Sequence, residues 1–78
     1  GYNPNEVDSL LPDALKHVIE IGQASISNLQ RYFGIGFSRA GKIIDQMEKL
    51  GYISPSEGSR PRTVYITMEK YLEEYGDK

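Results

Sequence analysis

Apolar residues recur at helical spacing in three stretches of the chain, and this pattern predicts three helices. The first helix is predicted from residue 8 or 9 to residue 21, with Leu11 and Leu15 on one apolar stripe. Pro12 suits its first turn and Gly22 suits its end, because proline is tolerated at a helix start and glycine readily closes a helix. We therefore expect this helix to pack one face on a core.

A second, shorter helix is predicted after a brief extended piece at residues 24–26. Ser27 is its predicted N-cap, since Gln30 stands three residues later, as in a capping box. Ile26 stands just outside the cap, where an apolar residue acts as a hydrophobic staple. Gly34 is expected to end this helix.

The third helix is predicted at residues 38–50, after the tight turn "GIGF" at residues 34–37. Ser38 is expected to cap its start and Gly51 to close its end. Its predicted core stripe consists of Ala40, Ile43, Ile44, Met47 and Leu50. Two helices joined by a short turn that contains glycine are typical of a helix-turn-helix.

The hydrophobic period changes to that of strands after residue 51. Residues 52–54 and 63–67 are rich in β-branched and aromatic side chains and predict a β-hairpin with a loop at residues 55–62. Thr67 is expected to cap a short last helix. The predicted fold is α+β and mainly helical: a winged helix-turn-helix with a three-helix core, a β-hairpin wing and a short C-terminal helix.

Length and composition are compatible with this fold. A chain of 78 residues fits one domain, which we expect at residues 8–67, between a flexible N-terminus at 1–7 and a C-terminal helix or tail at 68–78. The chain has no cysteine, so neither a disulfide nor a thiolate metal site is expected to hold it together. No apolar run approaches the roughly 20 residues that span a bilayer.

The distribution of charge tells more than the net charge of −2. Residues 27–67 carry six basic and three acidic side chains. Residues 1–26 carry one basic and four acidic side chains, and residues 68–78 carry two basic and four acidic ones. Attraction to phosphate is local, because salt screens it over about 8 Å at physiological ionic strength. A basic middle between acidic ends is therefore compatible with nucleic-acid binding.

Candidate catalytic residues are few. His17 is the one histidine, and Asp13 lies four residues earlier, so a surface pair on one helix is its simplest explanation. A single histidine without cysteine gives no metal-ligand spacing. The carboxylates of residues 68–78 are typical of a solvated helix face. We expect no enzymatic activity, no metal and no cofactor.

The polar face of the third helix has two possible explanations, a solvated surface or a surface that reads DNA. Lysine and arginine can donate to guanine, and aspartate can accept from the cytosine amino group. In helix-turn-helix proteins the N-terminal part of this helix contacts base edges in the major groove. The polar side chains of the face are Ser38, Arg39, Lys42, Asp45, Gln46 and Lys49. Arg60 and Arg62 add positive charge to the predicted wing and favour the DNA-reading hypothesis.

The stretch "ASISNLQRYFGIGFSRAGKIIDQMEKLGYISPSEGSRPRTVYIT" closely resembles the γ domain at the C-terminus of FtsK/SpoIIIE-type DNA translocases. The matching elements are S-I-S-x-L-Q-R-x-F-x-I-G, then R-A-x-K-I-I-D-Q-M-E, and finally SEGSRPR before the last strand. The resemblance covers about residues 8–67, and "MEKYLEEYGDK" lies beyond it.

The resemblance implies a winged helix that binds double-stranded DNA and does no chemistry itself. It implies that this module reads short G-rich polarity sequences, which orient a hexameric ATPase motor on chromosomal DNA during chromosome partition at cell division. It further implies several copies side by side on DNA and, in some members, activation of a Xer-type recombinase. The implied location is cytoplasmic, without membrane contact by this domain, on a membrane-anchored parent protein.

The resemblance also implies which residues touch DNA. The family's reading positions on the third helix fall on Ser38, Lys42 and Asp45, where the family usually has asparagine, arginine and an acidic residue. The remaining implied positions are Arg31 in the second helix, Arg39 in the third helix and Arg60 and Arg62 in the wing. Lysine at position 42 lacks the bidentate fork of arginine, so the target sequence stays open.

Two other functions remain open from the residues alone. One is a winged helix used for protein contact, for example in recombinase activation, with the acidic ends and exposed Tyr32 and Tyr71 as the contact surface. The other is a small stand-alone transcriptional regulator.

Overall fold

The computed structural model describes residues 7–56, 58 and 60–76. Its elements are α1 (Leu11–Ile21), β1 (Gln23–Ala24), α2 (Ile26–Phe33), α3 (Phe37–Lys49), β2 (Arg62–Thr63) and α4 (Met68–Tyr71), which continues into a π-helical turn (Leu72–Gly76). Most of the predicted flexible N-terminus lies outside the described residues.

Helix α1 begins slightly later than its periodicity predicts. The Asp8 carbonyl accepts from the Leu11 amide at 2.9 Å, and the Asp8 carboxylate accepts from the Leu10 amide at 2.8 Å. These bonds form a turn that precedes the helix rather than its first turn. The helix ends at Gly22 as predicted, where φ is +89°, a value that favours glycine.

The predicted N-cap of α2 is wrong by two residues. Ser25, not Ser27, has the extended backbone of a cap, and its Oγ accepts from the Asn28 amide at 3.1 Å. Strand β1 ends at Ala24, so the chain turns into the helix earlier than the predicted extended piece allows. Ser27 lies exposed inside the first turn.

Helix α3 has the predicted core stripe but different ends. Its N-cap is the extended Gly36, so Ser38 lies within the first turn instead of capping it. Leu50 was predicted to face the core, but it is the C-cap residue and is exposed, since the helix stops at Lys49. Gly51 follows with φ of +81°, as expected for a helix stop.

The wing forms a sheet with the segment after α1. Strand β2 pairs antiparallel with β1, in the register Gln23 to Thr63. Residues 52–54 meet the other side of this segment through an isolated bridge between Ile53 and Val64, supported by a 2.9 Å bond from the Ser54 amide to the Thr63 carbonyl. Arg62, which was predicted to lie in the loop, is therefore part of β2. The fold is the predicted mainly helical α+β winged helix.

The segment after the wing packs on the rest of the fold. Thr67 caps α4 as predicted, accepting from the Lys70 amide at 3.1 Å. Tyr71 was predicted to be exposed, but it is only 8% exposed and belongs to the core cluster. The Tyr52 hydroxyl donates to a Glu74 carboxylate oxygen at 2.6 Å, which ties the π-helical turn to the segment after α3. Residues 77 and 78 lie outside the described residues.

The core lies where α1, α2 and α3 meet the wing and α4. Its buried members are Leu11, Ala14, Leu15, Val18, Ala24, Leu29, Ala40, Ile43, Ile44, Met47, Ile53, Ile66 and Tyr71. Because α3 buries one face here, its opposite face points away from the protein.

Candidate nucleic-acid interface

The centre of the exposed face of α3 is a row of short and long polar side chains. Ser38, Lys42, Asp45 and Lys49 recur at intervals of three and four residues, and all four are exposed. This spacing places them on one side of the helix, opposite the buried stripe. The row combines two cations, a carboxylate and a hydroxyl, groups that can donate to and accept from base edges.

One flank of the row is tied to the segment before α1. The Arg39 guanidinium donates to both carboxylate oxygens of Asp8, from Nε at 3.0 Å and from Nη2 at 2.9 Å. The Asp8 amide donates to Gln46 Oε1 at 3.1 Å. The hydrogen bond from Arg39 holds the pKa of the Asp8 carboxyl below its usual range. Asp8 thus contacts both predicted reading residues on this flank.

The other flank is tied to the wing. Arg62 Nη1 donates to Glu48 Oε1 at 2.8 Å and to the Ser54 carbonyl at 3.1 Å. The Arg62 side chain is 14% exposed, so it braces β2 against α3 and is not at the tip of the wing. Next to Arg62, the Thr63 amide donates to the buried Ser54 hydroxyl at 2.9 Å.

Arg60 and Arg31 are the predicted cations outside α3 that lie on the surface. Arg60 is exposed in the wing, beside an open groove of about 400 Å³ that Ile26, Phe37 and Arg62 also line. Arg31 is exposed in the last turn of α2. The structure brings Arg60 to the α3 side of the wing but gives Arg31 no contact with the row.

Sequence reasoning missed two residues at this candidate interface. Asp8 falls in a short acidic segment with no motif of its own, and only the fold brings it to α3. Phe37 is 65% exposed at the start of α3, although its residue type suggests burial. Its spacing of three residues from Ala40 and seven from Ile44 also places it in line with the buried stripe, so no signal in the sequence indicated its exposure.

His17 has a different partner from the one predicted. Its Nε2 lies 2.7 Å from Asn28 Oδ1 on α2, and its ring stacks on Tyr32 with centroids 3.8 Å apart. The pair that was predicted with Asp13 is replaced by these contacts between α1 and α2. Tyr32 remains 66% exposed, as the protein-contact hypothesis requires.

Residues 7–56, 58 and 60–76 contain no group of three or more histidine, cysteine or acidic residues placed to hold a metal ion. None of the helices described in that part is long and apolar enough to cross a membrane.

A sequence model of the FtsK gamma domain matches residues 5–67, which include the whole helix-turn-helix and the wing. This chain belongs to the FtsK gamma domain family. The match ends at Thr67, the residue that caps α4. The gamma domain described here therefore comprises the three-helix core and the sheet, with α4 packed beside them.

Curated relatives of this gamma domain carry the name DNA translocase. The chain is 51% identical over 59 residues to the DNA translocase FtsK of Halalkalibacterium halodurans. This match covers 76% of this chain and 8% of that protein. It is 46% identical over 66 residues to the DNA translocase SpoIIIE of Bacillus subtilis. That match covers 85% of this chain and 8% of that protein.

A third relative extends the similarity beyond the wing. The chain is 46% identical over 74 residues to the DNA translocase SftA of Bacillus subtilis, which covers 95% of this chain and 8% of that protein. A match of this length includes the residues of α4, so the sequence similarity extends beyond the wing. The gamma domain spans less than a tenth of the length of these relatives.

Proposed function

We propose that this gamma domain binds double-stranded DNA through α3 and reads short G-rich sequences that orient an FtsK/SpoIIIE-type DNA translocase. The observation that carries the proposal is the exposed row of Ser38, Lys42, Asp45 and Lys49 on the second helix of the helix-turn-helix. Both flanks of α3 are tied to the rest of the protein, by Asp8 on one side and Arg62 on the other. The row is thus held on a rigid scaffold, which favours reading over loose electrostatic attachment.

The wing supports this function with backbone contacts. Arg60 is exposed beside the groove next to α3, where its charge is available to phosphate. Phosphate contacts fix register and orientation, whereas base contacts specify sequence. We expect Arg60 to contribute affinity to every duplex and Lys42 to contribute mainly on the preferred sequence.

A salt titration on two duplexes tests the proposal. Fluorescence anisotropy would compare a G-rich duplex with a scrambled duplex of equal composition, and four to six phosphate contacts predict a slope of log K on log salt of about −3.5 to −5.5. In the same assay Lys42→Ala should weaken binding mainly to the G-rich duplex. Lys16→Ala, on the exposed side of α1, removes the same charge elsewhere and is its matched control. Affinity that does not change with salt, or equal affinity for both duplexes, would contradict the proposal.

We further propose that several copies share one recognition sequence. One winged helix presents few base contacts, each worth about 1–3 kcal/mol, so a single copy is expected to discriminate weakly. Tethering copies raises avidity by a factor of about 10²–10⁴ without new contacts. Analytical ultracentrifugation should show a monomer without DNA and several copies on a G-rich duplex. A stable dimer without DNA would contradict this arrangement.

A protein partner such as a Xer-type recombinase is a second candidate function, favoured by one observation. Tyr32 is largely exposed and is held flat by its stacking on His17, as suits an anchor for another protein. Tyr32→Ala should leave DNA affinity unchanged and weaken recombinase activation, measured with a purified recombinase. Unchanged activation would contradict a role of the Tyr32 surface in recombinase contact.

A further inference from the structure

Asp8 makes an unusual set of contacts for a residue outside the helices. Its two carboxylate oxygens accept from Arg39 at 2.9 and 3.0 Å, its amide donates to Gln46 at 3.1 Å, and its Oδ1 also accepts from the Leu10 amide at 2.8 Å. The last bond fixes the carboxylate relative to α1. Asp8 therefore connects a rigid position before α1 to a flank of α3 that spans two helical turns.

The pair with Arg39 restrains both the geometry and the charge of that arginine. A bidentate bond between guanidinium and carboxylate fixes the plane of the guanidinium, which a single contact does not. The fork uses Nε and Nη2, and this leaves Nη1 outside it. The negative charge of Asp8 also reduces the attraction of Arg39 for phosphate. The Arg39 side chain is nevertheless 48% exposed, so DNA can reach it.

We propose that Asp8 is a specificity-determining residue, which restrains Arg39 so that the exposed row of α3 rather than unspecific phosphate attraction decides where the domain binds. This inference rests on the proposed function of α3. On random DNA an unrestrained Arg39 would pair with whichever phosphate lies nearest. On the preferred sequence, base contacts fix the register, and Arg39 gains less from being released.

The D8N variant tests the inference because asparagine keeps a side-chain oxygen for the Leu10 amide and loses the charge. One additional phosphate contact changes the salt slope by about −0.9, which corresponds to roughly fivefold tighter binding at physiological salt. We expect D8N to bind random duplex about fivefold more tightly, with a steeper slope, and to gain less on the G-rich duplex. The ratio of the two affinities should fall.

Two comparisons separate restraint of Arg39 from a general charge effect. In an Arg39→Ala background, D8N should leave the affinity for random DNA unchanged, since no arginine is released. D13N removes an exposed carboxylate from α1 and should leave the ratio of affinities unchanged. A gain by D8N that persists without Arg39, or an equal gain on both duplexes, would overturn the inference.

A second variant covers the case in which D8N does not fold, as judged by circular dichroism. Arg39→Lys keeps the charge but loses the planar fork, so it should also lower the ratio of affinities. An unchanged ratio in Arg39→Lys would overturn the inference. If the wild-type domain itself does not distinguish the duplexes, the proposed function fails together with the inference. If the wild-type domain distinguishes the two duplexes and both variants show the same ratio of affinities as wild type, the inference fails while the proposed function stands.

Discussion

Arg39 and Arg62 flank the same helix and each pairs with a carboxylate, yet they differ in which partner is buried. In the Arg39–Asp8 pair the arginine is 48% exposed and the acid 18%, whereas in the Arg62–Glu48 pair the arginine is 14% exposed and the acid 40%. Arg62 also donates to a backbone carbonyl, that of Ser54. One arginine therefore lies on the exposed surface of α3, and the other holds the wing.

The difference shows that a basic segment does not tell by itself which cations meet a ligand. An exposed ion pair contributes about 0.2–1 kcal/mol to stability, because water and salt screen it. A hydrogen bond from a charged group that is largely buried contributes about 1.5–3 kcal/mol, because water screens it less. We therefore expect Arg62 to matter for folding and Arg39 to matter for binding.

The largest expected effect is on stability, from Arg62→Ala. Removing its bonds to Glu48 and Ser54 should lower the free energy of unfolding by about 2–3 kcal/mol. Urea denaturation followed by circular dichroism measures the loss. The matched control is Arg60→Ala, which should stay within about 0.5 kcal/mol of wild type because its side chain is exposed. Equal stability of the two variants would contradict the structural role of Arg62.

The second effect concerns binding by the row between the flanks. If Lys42 contacts a base as proposed, Lys42→Ala should cost about 1–2 kcal/mol of binding free energy on the G-rich duplex and much less on random DNA. Arg60→Ala should weaken both duplexes equally. Competition binding on the two duplexes measures the difference. If Lys42→Ala weakens both alike, then Lys42 contacts the backbone rather than the bases.

The third effect is a gain in stability near the Arg62 flank. Gly41 lies within α3, and an added Cβ would meet only Ile26 Cδ1, at an ordinary contact distance of 3.8 Å. Gly41→Ala should therefore stabilise the protein by about 0.5–1 kcal/mol, because alanine loses less backbone entropy in a helix. Thermal unfolding measures the gain. If the same variant also loses DNA affinity, Gly41 serves close approach of the duplex.

The smallest expected effect is the dependence of stability on pH at the Arg39 flank. The pKa of Asp8 is lowered in the folded protein, mainly by its hydrogen bond with Arg39. Its contribution is present above the usual aspartate pKa of about 3.9 and is lost as the pH falls through the lowered value. Urea midpoints between about pH 5 and pH 2 should fall less steeply in Arg39→Ala than in wild type. Equal dependence of the urea midpoint on pH in the two proteins would show that the Arg39–Asp8 pair contributes nothing to stability.

Local patterns in the sequence predicted most of the elements. The core stripes of α1 and α3 and the stops at Gly22, Gly34 and Gly51 depend on neighbours along the chain, and periodicity with glycine placement captures them. The cap of α2 was placed two residues late, at Ser27 instead of Ser25. The choice between the two serines depends on where β1 ends, and β1 exists only because it pairs with β2.

The same distinction applies to the candidate site. The exposed row of α3 could be predicted, because a helix with one apolar face must present the other. Its flanks could not be predicted, since Asp8 is 31 residues from Arg39 and Glu48 is 14 residues from Arg62. His17 and Tyr71 were misplaced for the same reason, as their partners lie on other elements. No local pattern records which distant groups meet.

The sequence by itself determined the winged helix-turn-helix, the helix face that is exposed and the family to which the chain belongs. These follow from the spacing of residues within single elements and from motifs that lie on a continuous stretch. The tertiary structure alone decided which predicted cations are on the surface and which are structural. An arginine's exposure depends on where the fold places carboxylates and carbonyls, and for Arg62 it places Glu48 and Ser54 within hydrogen-bonding distance.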